Sequence, residues 1–545
     1  MPPQPADVRW GVAAPHHLAS RAAADVLAAG GGAVDAALAA AAVLTVVYPH
    51  QCTVGGDLFA LVAQDGEVHA VNGSGRAGLR TDADAQRRSG PSMPVSGPRS
   101  VTVPGVLDAW SEMASRWGSM PLSAALSHAG DLADDGVPVA PGLRRELEEE
   151  AQLLAADPGA AALFLPGGEL LREGEVLRQP RLASTLRTLA ADGARAFYDG
   201  DLGASVVDLL AAGGGALIRE DLSSHRTEVG EPLAVRFAGE EHHSAGWNCQ
   251  GVFHLEGLAA LEVLATRRGR ALDPLGSDAA AVARVLSAAA AHRDALLGDP
   301  AATAGLAERL LDPARTERLA SWADGEDVDR QQLLASAAGA PSAGGRRSGD
   351  TVAVVVADGR GGWVSLIQSA FHAFGAAVVD PATGILLHNR GASFSLVPGS
   401  PNELGPGRRP LHTLMPVMTR SLDGEVTGAH GTMGGRAQHQ IHAHLALHLA
   451  RGAGAAGAVS APRWVLGRMG AGTSAQDADR TASVEAGVPA AARAALAGGG
   501  FDCSELPDRS DSVGHAQLVR REAGGTAAAT DPRADGAALT GRSSR

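Results

Sequence analysis

The order of the predicted elements favours a layered fold of the α+β class. Patterns with helical spacing dominate the chain up to about Leu310, whereas strand-like apolar runs follow from Thr351 onward. A polar stretch that begins near Ala323 and is rich in Gly, Ser and Arg separates the two parts. Helices first and paired strands later are typical of folds in which helices cover a sheet.

Two successive helices and a pair of strands are predicted at the start of the chain. The first helix is HHLASRAAADVLAAGGG, which ends at a run of glycines. The second is AVDAALAAAAVLTVVYPH, whose first turn carries Asp35, where a carboxylate interacts favourably with the helix dipole. The pattern then changes to two short strands around QDGE.

The rest of the chain divides into a helical middle and a strand-rich end. From Pro104 to about Leu310 the pattern is mostly helical, with short apolar pieces such as PLAVRFAG. Residues 521–545 contain almost no large apolar side chains, which predicts a disordered tail. Strands are predicted for TVAVVVAD, WVSLIQSA, AAVVDPATGILLHN and EVTGAHGTMGG, and a helix from about Arg436 to Arg451.

Charge and cysteine content exclude several classes of protein. A net charge of -14 argues against a nucleic-acid partner, which would call for clustered cations. Cys52, Cys249 and Cys503 are widely spaced, so they indicate neither a disulfide framework nor a thiolate metal site. With neither a secretory signal pattern nor an apolar run long enough to cross a bilayer, we expect no membrane contact and a cytoplasmic location.

We also expect no metal and no cofactor. The segment HQIHAHLALH holds four histidines, and His444 and His448 have the i,i+4 spacing that metal ligands can use. The segment has no HExxH motif and no nearby acidic ligands, which favours a packed or solvated helix face. Phosphate-binding and dinucleotide-binding motifs with the proper context are also missing from the sequence.

Thr351 opens a strand directly after the polar stretch. If TVAVVVADGRGGWVSLIQS forms a hairpin whose loop is centred on Arg360, symmetric pairing places Thr351 opposite Ser369. If the bond before Thr351 is cut, one residue would supply a nucleophilic Oγ and an α-amino group with a pKa of about 7.7–8.0, suited to a general base. The alternative is that Thr351 is simply a β-branched residue at the start of a strand.

Ordered sequence blocks along about residues 9 to 520 resemble the γ-glutamyltransferase (γ-glutamyl transpeptidase) family of N-terminal-nucleophile hydrolases. So many blocks in the family's order exceed what chance matching produces. The blocks include the N-terminal segment from GVAAPHHLAS to TVGGDLF, then SVTVPGVLDAW, LRQPRLASTLRTLAADGARAFYDG, GDTVAVVVADGRGG, FGAAVVDPATGILLHNRGASFS, PGRRPLHTLMP, GTMGGR and APRWVLG.

The resemblance implies a four-layer αββα fold made as one precursor that cleaves itself between Asp350 and Thr351. Residues 1–350 would then form the large chain, in which 323–350 is a mobile loop before the cut. Residues 351–520 would form the small chain with the nucleophile, followed by the tail at 521–545. The two chains would stay together as a heterodimer that acts on a small-molecule amide.

The resemblance also assigns roles to site residues. Thr351 would attack a γ-glutamyl-type amide, form an acyl-threonine and pass the acyl group to water or an amine. Ser369 falls at the family's second hydroxyl position and would orient Thr351. Gly434 and Gly435, in GTMGGR, fall at the family's oxyanion hole, where backbone N–H groups stabilise developing negative charge.

Several substrate contacts of the family are altered here. Ser74 and Ser393 fall where γ-glutamyl enzymes have an arginine and an aspartate that bind the glutamate, and Arg76 is the nearest cation. His412 and Thr413 replace a pair of serines, and the His412 imidazole adds a group whose protonation can depend on pH. With these substitutions the chain resembles a divergent branch of the family, similar to its amidohydrolase members, such as oxamate amidohydrolase, and to the related acylases.

Three alternatives for function therefore stay open. The first is a γ-glutamyl-type hydrolase or acyltransferase. The second is an amidohydrolase or acylase of a different small amide, oxamate-like, without transpeptidation. The third is a homologue that never processes itself and serves as a binding protein.

Overall fold

The computed structural model describes residues 9–326, 328, 350–467 and 480–542. Most of the predicted loop at 323–350 lies outside the described residues. The helices are α1 (His17–Ala28), α2 (Ala33–Val47), α3 (Ala83–Ser89), α4 (Val106–Trp117), α5 (Leu122–Asp135), α6 (Pro141–Glu149), α7 (Ala151–Ala156), α8 (Pro158–Phe164), α9 (Pro180–Asp192), α10 (Arg195–Tyr198), α11 (Asp201–Ala212), α12 (Arg219–Ser223), α13 (Gly251–Arg268), α14 (Ala279–Leu296), α15 (Leu306–Leu310), α16 (Pro313–Ala323), α17 (Gln438–Ala450), α18 (Ala455–Ser460) and α19 (Ala490–Gly498).

The strands lie in the same described parts of the chain. They are β1 (Arg9–Ala14), β2 (Asp57–Gln64), β3 (Glu67–Asn72), β4 (Val137–Pro138), β5 (Val176–Leu177), β6 (Glu228–Gly230), β7 (Leu233–Phe237), β8 (Glu240–Ser244), β9 (Asp350–Ala357), β10 (Trp363–Phe371), β11 (Val417–Ser421), β12 (Val426–Thr432), β13 (Trp464–Leu466), β14 (Thr481–Glu485), β15 (Asp502–Leu506), β16 (Ala516–Glu522), β17 (Gly525–Thr530) and β18 (Ala537–Arg542).

Two large sheets stack face to face, with helices on their outer sides. One has the strand order β18-β1-β9-β10-β2-β3-β6 and the other β17-β16-β12-β11-β8-β7. Side chains of both sheets share one core, while α1, α2, α4, α5 and α9 pack on the outer face of the first sheet. Helices α13, α14, α16 and α17 form a separate core on the other side of the molecule. This arrangement is the predicted four-layer αββα sandwich.

The alanine-rich start of the chain forms the predicted helices because small side chains let them pack closely. Every residue of α2 is buried. Its N-terminus is held by Asp35, whose Oδ2 accepts a hydrogen bond from the Gly32 N–H at 2.8 Å. The same carboxylate accepts from the backbone N–H groups of Ser119 and Met120, so it ties α2 to the loop before α5.

The central hairpin has the predicted register. In the ladder between β9 and β10, Val352 pairs with Gln368 and Ala357 with Trp363, as expected for a loop centred on Arg360. Side chains alternate along β9, so that Val352, Val354 and Val356 face the helices while Ala353 and Val355 face the second sheet. Thr351 therefore points between the sheets.

A glycine allows the sheets to approach closely above this hairpin. A Cβ atom on Gly431 of β12 would lie 2.4 Å from Ile367 Cδ1 and 2.8 Å from Ala353 Cβ. Both distances are too short for a side chain, so only glycine fits there without a shift of the neighbouring strands.

The structure corrects the strand predicted for residues 376–389. The chain instead turns back on itself, and the Asp380 N–H donates to the Ile385 carbonyl at 3.0 Å. Only isolated bridges remain, such as Val379 with Leu386. Asp380-Pro381 and Gly384 favour a turn, and this competes with the apolar run. The turn places the residues that follow it, His388 and Arg390, close to Asp57 at the start of β2.

The prediction of a disordered tail is wrong for residues 521–542; residues 543–545 lie outside the described part. Strand β17 pairs with β16, and β18 pairs with β1 along its whole length. The small side chains of this segment permit close packing, since a Cβ on Gly11 would lie 2.8 Å from Thr526 Cγ2. The segment is also held by Asp531, which is fully buried and forms ion pairs with Arg463 at 2.6 Å and Arg533 at 2.9 Å.

Among the helices in the described ranges, none combines the length and the hydropathy needed to cross a membrane.

Candidate active site

Thr351 and Ser369 lie on neighbouring strands, β9 and β10, with their hydroxyl groups in contact. The Thr351 hydroxyl donates to Ser369 Oγ at 3.1 Å, and both side chains are about 1% exposed. Regular pairing ends at Gln368, and a bulge follows before Phe371, which pairs with Asp350. The predicted contact between these two side chains is confirmed, but the bulge shifts the register so that they are not the predicted ladder pair. Their catalytic roles stay predictions.

The Ser369 hydroxyl is also bonded to the peptide that precedes Thr351. It donates to the Asp350 carbonyl oxygen at 2.5 Å and accepts from the Phe371 N–H at 2.7 Å. With the proton of Thr351 as a second donor, all hydrogen-bonding positions of Ser369 Oγ are used. Phe371 has a φ of 83°, a conformation that is unusual for a bulky residue, so the bulge holds Ser369 at the cost of backbone strain.

A third polar side chain, Asp57, extends this row. Asp57 opens β2 and is the ladder partner of Ser369 on the side opposite to Thr351. Its strand alternates so that Phe59 and Leu61, and hence Asp57, face the second sheet. The sequence analysis missed this residue. A single acidic residue at the start of an otherwise apolar strand, in GGDLFALVA, was the available signal.

The Asp57 carboxylate is fully buried and lies against two histidines, of which His412 forms a hydrogen bond with it. Its Oδ2 lies 2.9 Å from His412 Nε2 and 3.1 Å from His388 Nδ1, and its Oδ1 accepts from the Gly75 N–H at 3.1 Å. Burial opposes ionisation, but the imidazoles of His388 and His412 outweigh it and hold the pKa of the Asp57 carboxyl below its usual range. Asp57 is therefore an anion at neutral pH.

His412 is neutral at physiological pH. Burial, and then the charge of Arg390, lower the pKa of His412 to about 3, although Asp57 acts in the opposite direction. The predicted change of protonation with pH therefore falls in the acid range. A neutral imidazole that donates from Nε2 to Asp57 leaves Nδ1 as an acceptor.

Arg390 lies over Phe371 beside this cluster. Its guanidinium carbon is 3.8 Å from the centroid of the Phe371 ring, and its Nε is 3.8 Å from Asp57 Oδ2. Nη1 contacts Thr413 Oγ1 at 3.5 Å. The sequence analysis did not select Arg390, although it is the only cation in HNRGASF, a segment that carries a substrate contact in the family.

Gly434 and Gly435 connect β12 to the start of α17. Both have positive φ, 135° and 50°, and a short turn of 3-10 helix at Gly435–Ala437 precedes α17. The amide of Gln250 donates to the carbonyl oxygens of Thr413 and Gly435, at 2.5 and 2.9 Å. Gln250 thus joins the predicted oxyanion segment to the Thr413 segment and, through Thr413, to Arg390.

The other predicted substrate contacts have partners within the protein. Ser74 is buried, and its hydroxyl donates to Asn72 Oδ1 at 2.7 Å. Ser393 donates to the backbone carbonyl of Arg390 at 2.8 Å. The Arg76 side chain is 47% exposed and donates to the Gly407 carbonyl at 3.1 Å, with Glu228 as its ion-pair partner at 3.5 Å.

The histidines of α17 are packed in the interior. His439, His442 and His444 are fully buried, and His442 Nδ1 contacts His430 Nδ1 at 2.6 Å. Within the described ranges, no group of three or more histidine, cysteine or acidic side chains is arranged to hold a metal ion.

The comparison with protein families shows which family this chain belongs to. The gamma-glutamyltranspeptidase family model matches residues 19–541. The chain belongs to the gamma-glutamyltranspeptidase family. It is a member of a family of N-terminal-nucleophile hydrolases and transferases, and the two-sheet sandwich with Thr351 at the start of a central strand agrees with that membership.

Individual relatives of this gamma-glutamyltranspeptidase-family chain cover nearly its whole length. It is 37% identical to the oxamate amidohydrolase proenzyme of Klebsiella pneumoniae, over 96% of this chain and 97% of that protein. It is 34% identical to the glutathione hydrolase-like YwrD proenzyme of Bacillus subtilis, over 84% and 85% of the two chains. Among solved structures, cephalosporin acylase from Bacillus halodurans aligns with a TM-score of 0.85 and 31% identity, over 99% and 98% of the two chains.

Proposed function

We propose that this protein is a self-processing amidohydrolase that uses Thr351 as its nucleophile and acts on the amide of a small carboxylic acid. The observation that carries the proposal is the contact of Ser369 Oγ with both Thr351 Oγ1 and the carbonyl oxygen of Asp350. One hydroxyl thereby touches the nucleophile and the bond that must break. The relatives named as proenzymes in Klebsiella pneumoniae and Bacillus subtilis support processing of this chain.

Self-cleavage begins with attack of Thr351 Oγ1 on the carbonyl carbon of Asp350. The hydrogen bond from Ser369 polarises that carbonyl and stabilises the negative charge that develops on its oxygen. The C–N bond then breaks as the nitrogen of Thr351 takes up the proton that Oγ1 released on attack, which leaves an ester between Asp350 and Thr351. Water hydrolyses the ester, so that Asp350 ends as a carboxylate and Thr351 gains a free α-amino group.

The cleaved enzyme repeats this chemistry on a substrate. The α-amino group of Thr351 accepts the proton of Oγ1 while Oγ1 attacks the amide carbon. Expulsion of the amine or ammonia gives an acyl-threonine, and water or another amine then releases the acid or a new amide. The Gly434–Gly435 segment is the proposed source of N–H donors for the oxyanion.

The two chains formed by cleavage remain one body because each of the two large sheets draws strands from both. The first sheet places β9 and β10 between β1 and β2, and the second places β11 and β12 between β8 and β16. Neither chain alone contains a complete copy of either large sheet, so separation would expose strand edges and core side chains.

Two classes of acyl donor follow from the comparisons. The 37% identical relative is named for oxamate, a short amide that carries a carboxylate. The family name and the Bacillus subtilis relative favour a γ-glutamyl amide as the second candidate. Ser74 and Ser393 replace the charged residues that bind glutamate in γ-glutamyl enzymes, and both hydroxyls are engaged within the protein. We therefore favour the short amide.

Denaturing gel electrophoresis and N-terminal sequencing test processing. Wild type is expected to give fragments of about 35 and about 20 kDa from a chain of 55.0 kDa, with Thr351 first in the smaller fragment. Thr351→Ala is expected to remain a single chain. A wild-type chain that stays intact would favour a binding protein, and a cut at another bond would refute the assignment of Thr351.

Ammonia release from oxamate and p-nitroaniline release from γ-glutamyl-p-nitroanilide distinguish the donors. We expect turnover of oxamate to exceed that of the γ-glutamyl compound, and both to be lost in Thr351→Ala. Faster turnover of the γ-glutamyl compound would show that a γ-glutamyl amide, and not a short amide, is the preferred acyl donor.

A further inference from the structure

Arg390 is a buried cation with unused hydrogen-bond donors. Its side chain is 1% exposed, and neither Nε nor Nη2 has a hydrogen-bond partner among the described residues. The ion pair with Asp57 is long, at 3.8 Å, and Asp57 Oδ2 is already shared by His388 and His412. A buried guanidinium is costly unless its donors are satisfied, so this position calls for an anion.

Other buried arginines in the described ranges are satisfied by carboxylates of the protein. Arg463 and Arg533 bind Asp531, and Arg533 also binds Glu485. Arg409 binds Glu228 and donates to the Ser74 carbonyl. Arg390 differs because its unused donors lie in the candidate active site.

We propose that Arg390 binds the carboxylate of the substrate, so that the preferred substrates are monoamides of small dicarboxylic acids. This assignment rests on the proposed function and names its substrate class. The planar guanidinium presents Nε and Nη2 side by side, the geometry that binds both oxygens of a carboxylate. Arg390 would then bind the carboxylate, a role that the sequence analysis assigned to Arg76.

The position of Arg390 relative to the nucleophile supports this role. Thr351, Ser369 and Asp57 occupy one row across β9, β10 and β2, and Arg390 contacts the far end of that row. Neighbouring strands are about 4.8 Å apart, so the row spans about 10 Å between the outer Cα atoms. One small substrate could therefore place its amide carbon at Thr351 and its carboxylate at Arg390.

The surroundings of Arg390 fix its orientation and link it to processing. The ring of Phe371 supports the guanidinium from one side, and Thr413 Oγ1 accepts from Nη1. Phe371 is the ladder partner of Asp350.

The test compares Arg390→Gln with Arg76→Gln in processed enzyme. Each variant is assayed with oxamate, malonamate, succinamate and γ-glutamyl-p-nitroanilide, and the best acid is compared with its analogue in which a carboxamide replaces the carboxylate. Arg390→Gln is expected to lower kcat/KM for the acid about 100-fold and for the neutral analogue less than about threefold. Arg390→Lys should retain part of the activity because it keeps the charge. Arg76→Gln should resemble wild type.

Binding of oxalate gives a readout that is independent of turnover. We expect oxalate to raise the melting temperature of wild type and of Arg76→Gln, to raise that of Arg390→Lys less, and to leave that of Arg390→Gln unchanged. Equal losses on the acid and its neutral analogue, or a selective loss in Arg76→Gln, would overturn the role of Arg390. The proposed function would fail separately, if wild type neither cleaved itself nor released ammonia from any of these amides.

Discussion

Ser369 Oγ lies 3.1 Å from Thr351 Oγ1 and accepts its hydrogen bond, while its own proton is directed at the carbonyl oxygen of Asp350. The strand pairing of β9 with β10 alone does not produce this contact. The bulge between Gln368 and Phe371 brings Ser369 toward the peptide bond, and the Phe371 N–H holds its oxygen. The hydroxyl of Ser369 therefore contacts both the Thr351 hydroxyl and the peptide bond that the proposed self-cleavage would break.

Removal of the Ser369 hydroxyl is expected to slow self-cleavage by about 100-fold, because loss of one donor to an oxyanion typically has that effect. The measurement is the rate at which the Ser369→Ala precursor disappears on a denaturing gel. Ser365→Ala is the matched control, since Ser365 lies on the same face of β10 but donates to the His430 carbonyl. Processing of Ser369→Ala at the rate of the control would show that Ser369 has only a structural role.

Stability should fall as the pH drops from about 6.5 toward 4. Burial lowers the pKa of His16, His242 and His439 to about 3 and that of His254 to about 4, whereas an unfolded histidine titrates near 6.5. The unfolded chain binds more protons in this range, so acid favours unfolding, by up to about 1.4 kcal/mol per pH unit for each such histidine. Urea unfolding midpoints at pH 5 and pH 7.5 measure the effect.

A single substitution can show how much of the pH dependence of stability comes from His254. His254→Asn keeps a donor for the His439 carbonyl and removes one titrating group, so the slope of stability against pH should become shallower between pH 4 and 6.5. The exposed His128 provides the control, and His128→Gln should leave the slope unchanged. An unchanged slope in His254→Asn would mean that this histidine is not buried in its neutral form.

Gly431→Ala is expected to destabilise the protein by about 1–3 kcal/mol, the usual cost of overpacking a close contact. The added methyl group would collide with Ile367 and Ala353 between the two sheets. Gly498→Ala is the control, because a Cβ there meets no atom within 4 Å. Equal urea midpoints for the two variants would contradict the close approach of β12 to the hairpin.

Asp531→Asn should cost about 3–5 kcal/mol, because it leaves Arg463 in the interior without its carboxylate partner. The exposed Asp508 gives the comparison, and Asp508→Asn should change stability by less than about 0.5 kcal/mol. The free energy of unfolding in urea measures both. A small loss in Asp531→Asn would indicate that the C-terminal strands contribute little to the fold.

The early helices and the β9–β10 register up to Gln368 could be predicted because each depends on residues close in sequence, whereas the bulge that completes the contact of Thr351 with Ser369 was not predicted. The period of apolar residues defines a helix or strand, and a short loop fixes which residues pair across a hairpin. The C-terminal strands could not be predicted in this way. Their small side chains carry little apolar pattern, and their stability comes from pairing with β1 and β16 and from the buried Asp531.

The sequence by itself therefore predicted the fold class and the contact between Thr351 and Ser369. Only the tertiary structure decided which charges surround them. Asp57, His388, Arg390 and His412 come from separate segments, and their contacts depend on how β2, the turn after Val379 and the loop before β11 meet. Whether a charged side chain finds hydrogen-bond partners within the protein depends on neighbours that are distant in sequence, as the contrast between Arg76 and Arg390 shows.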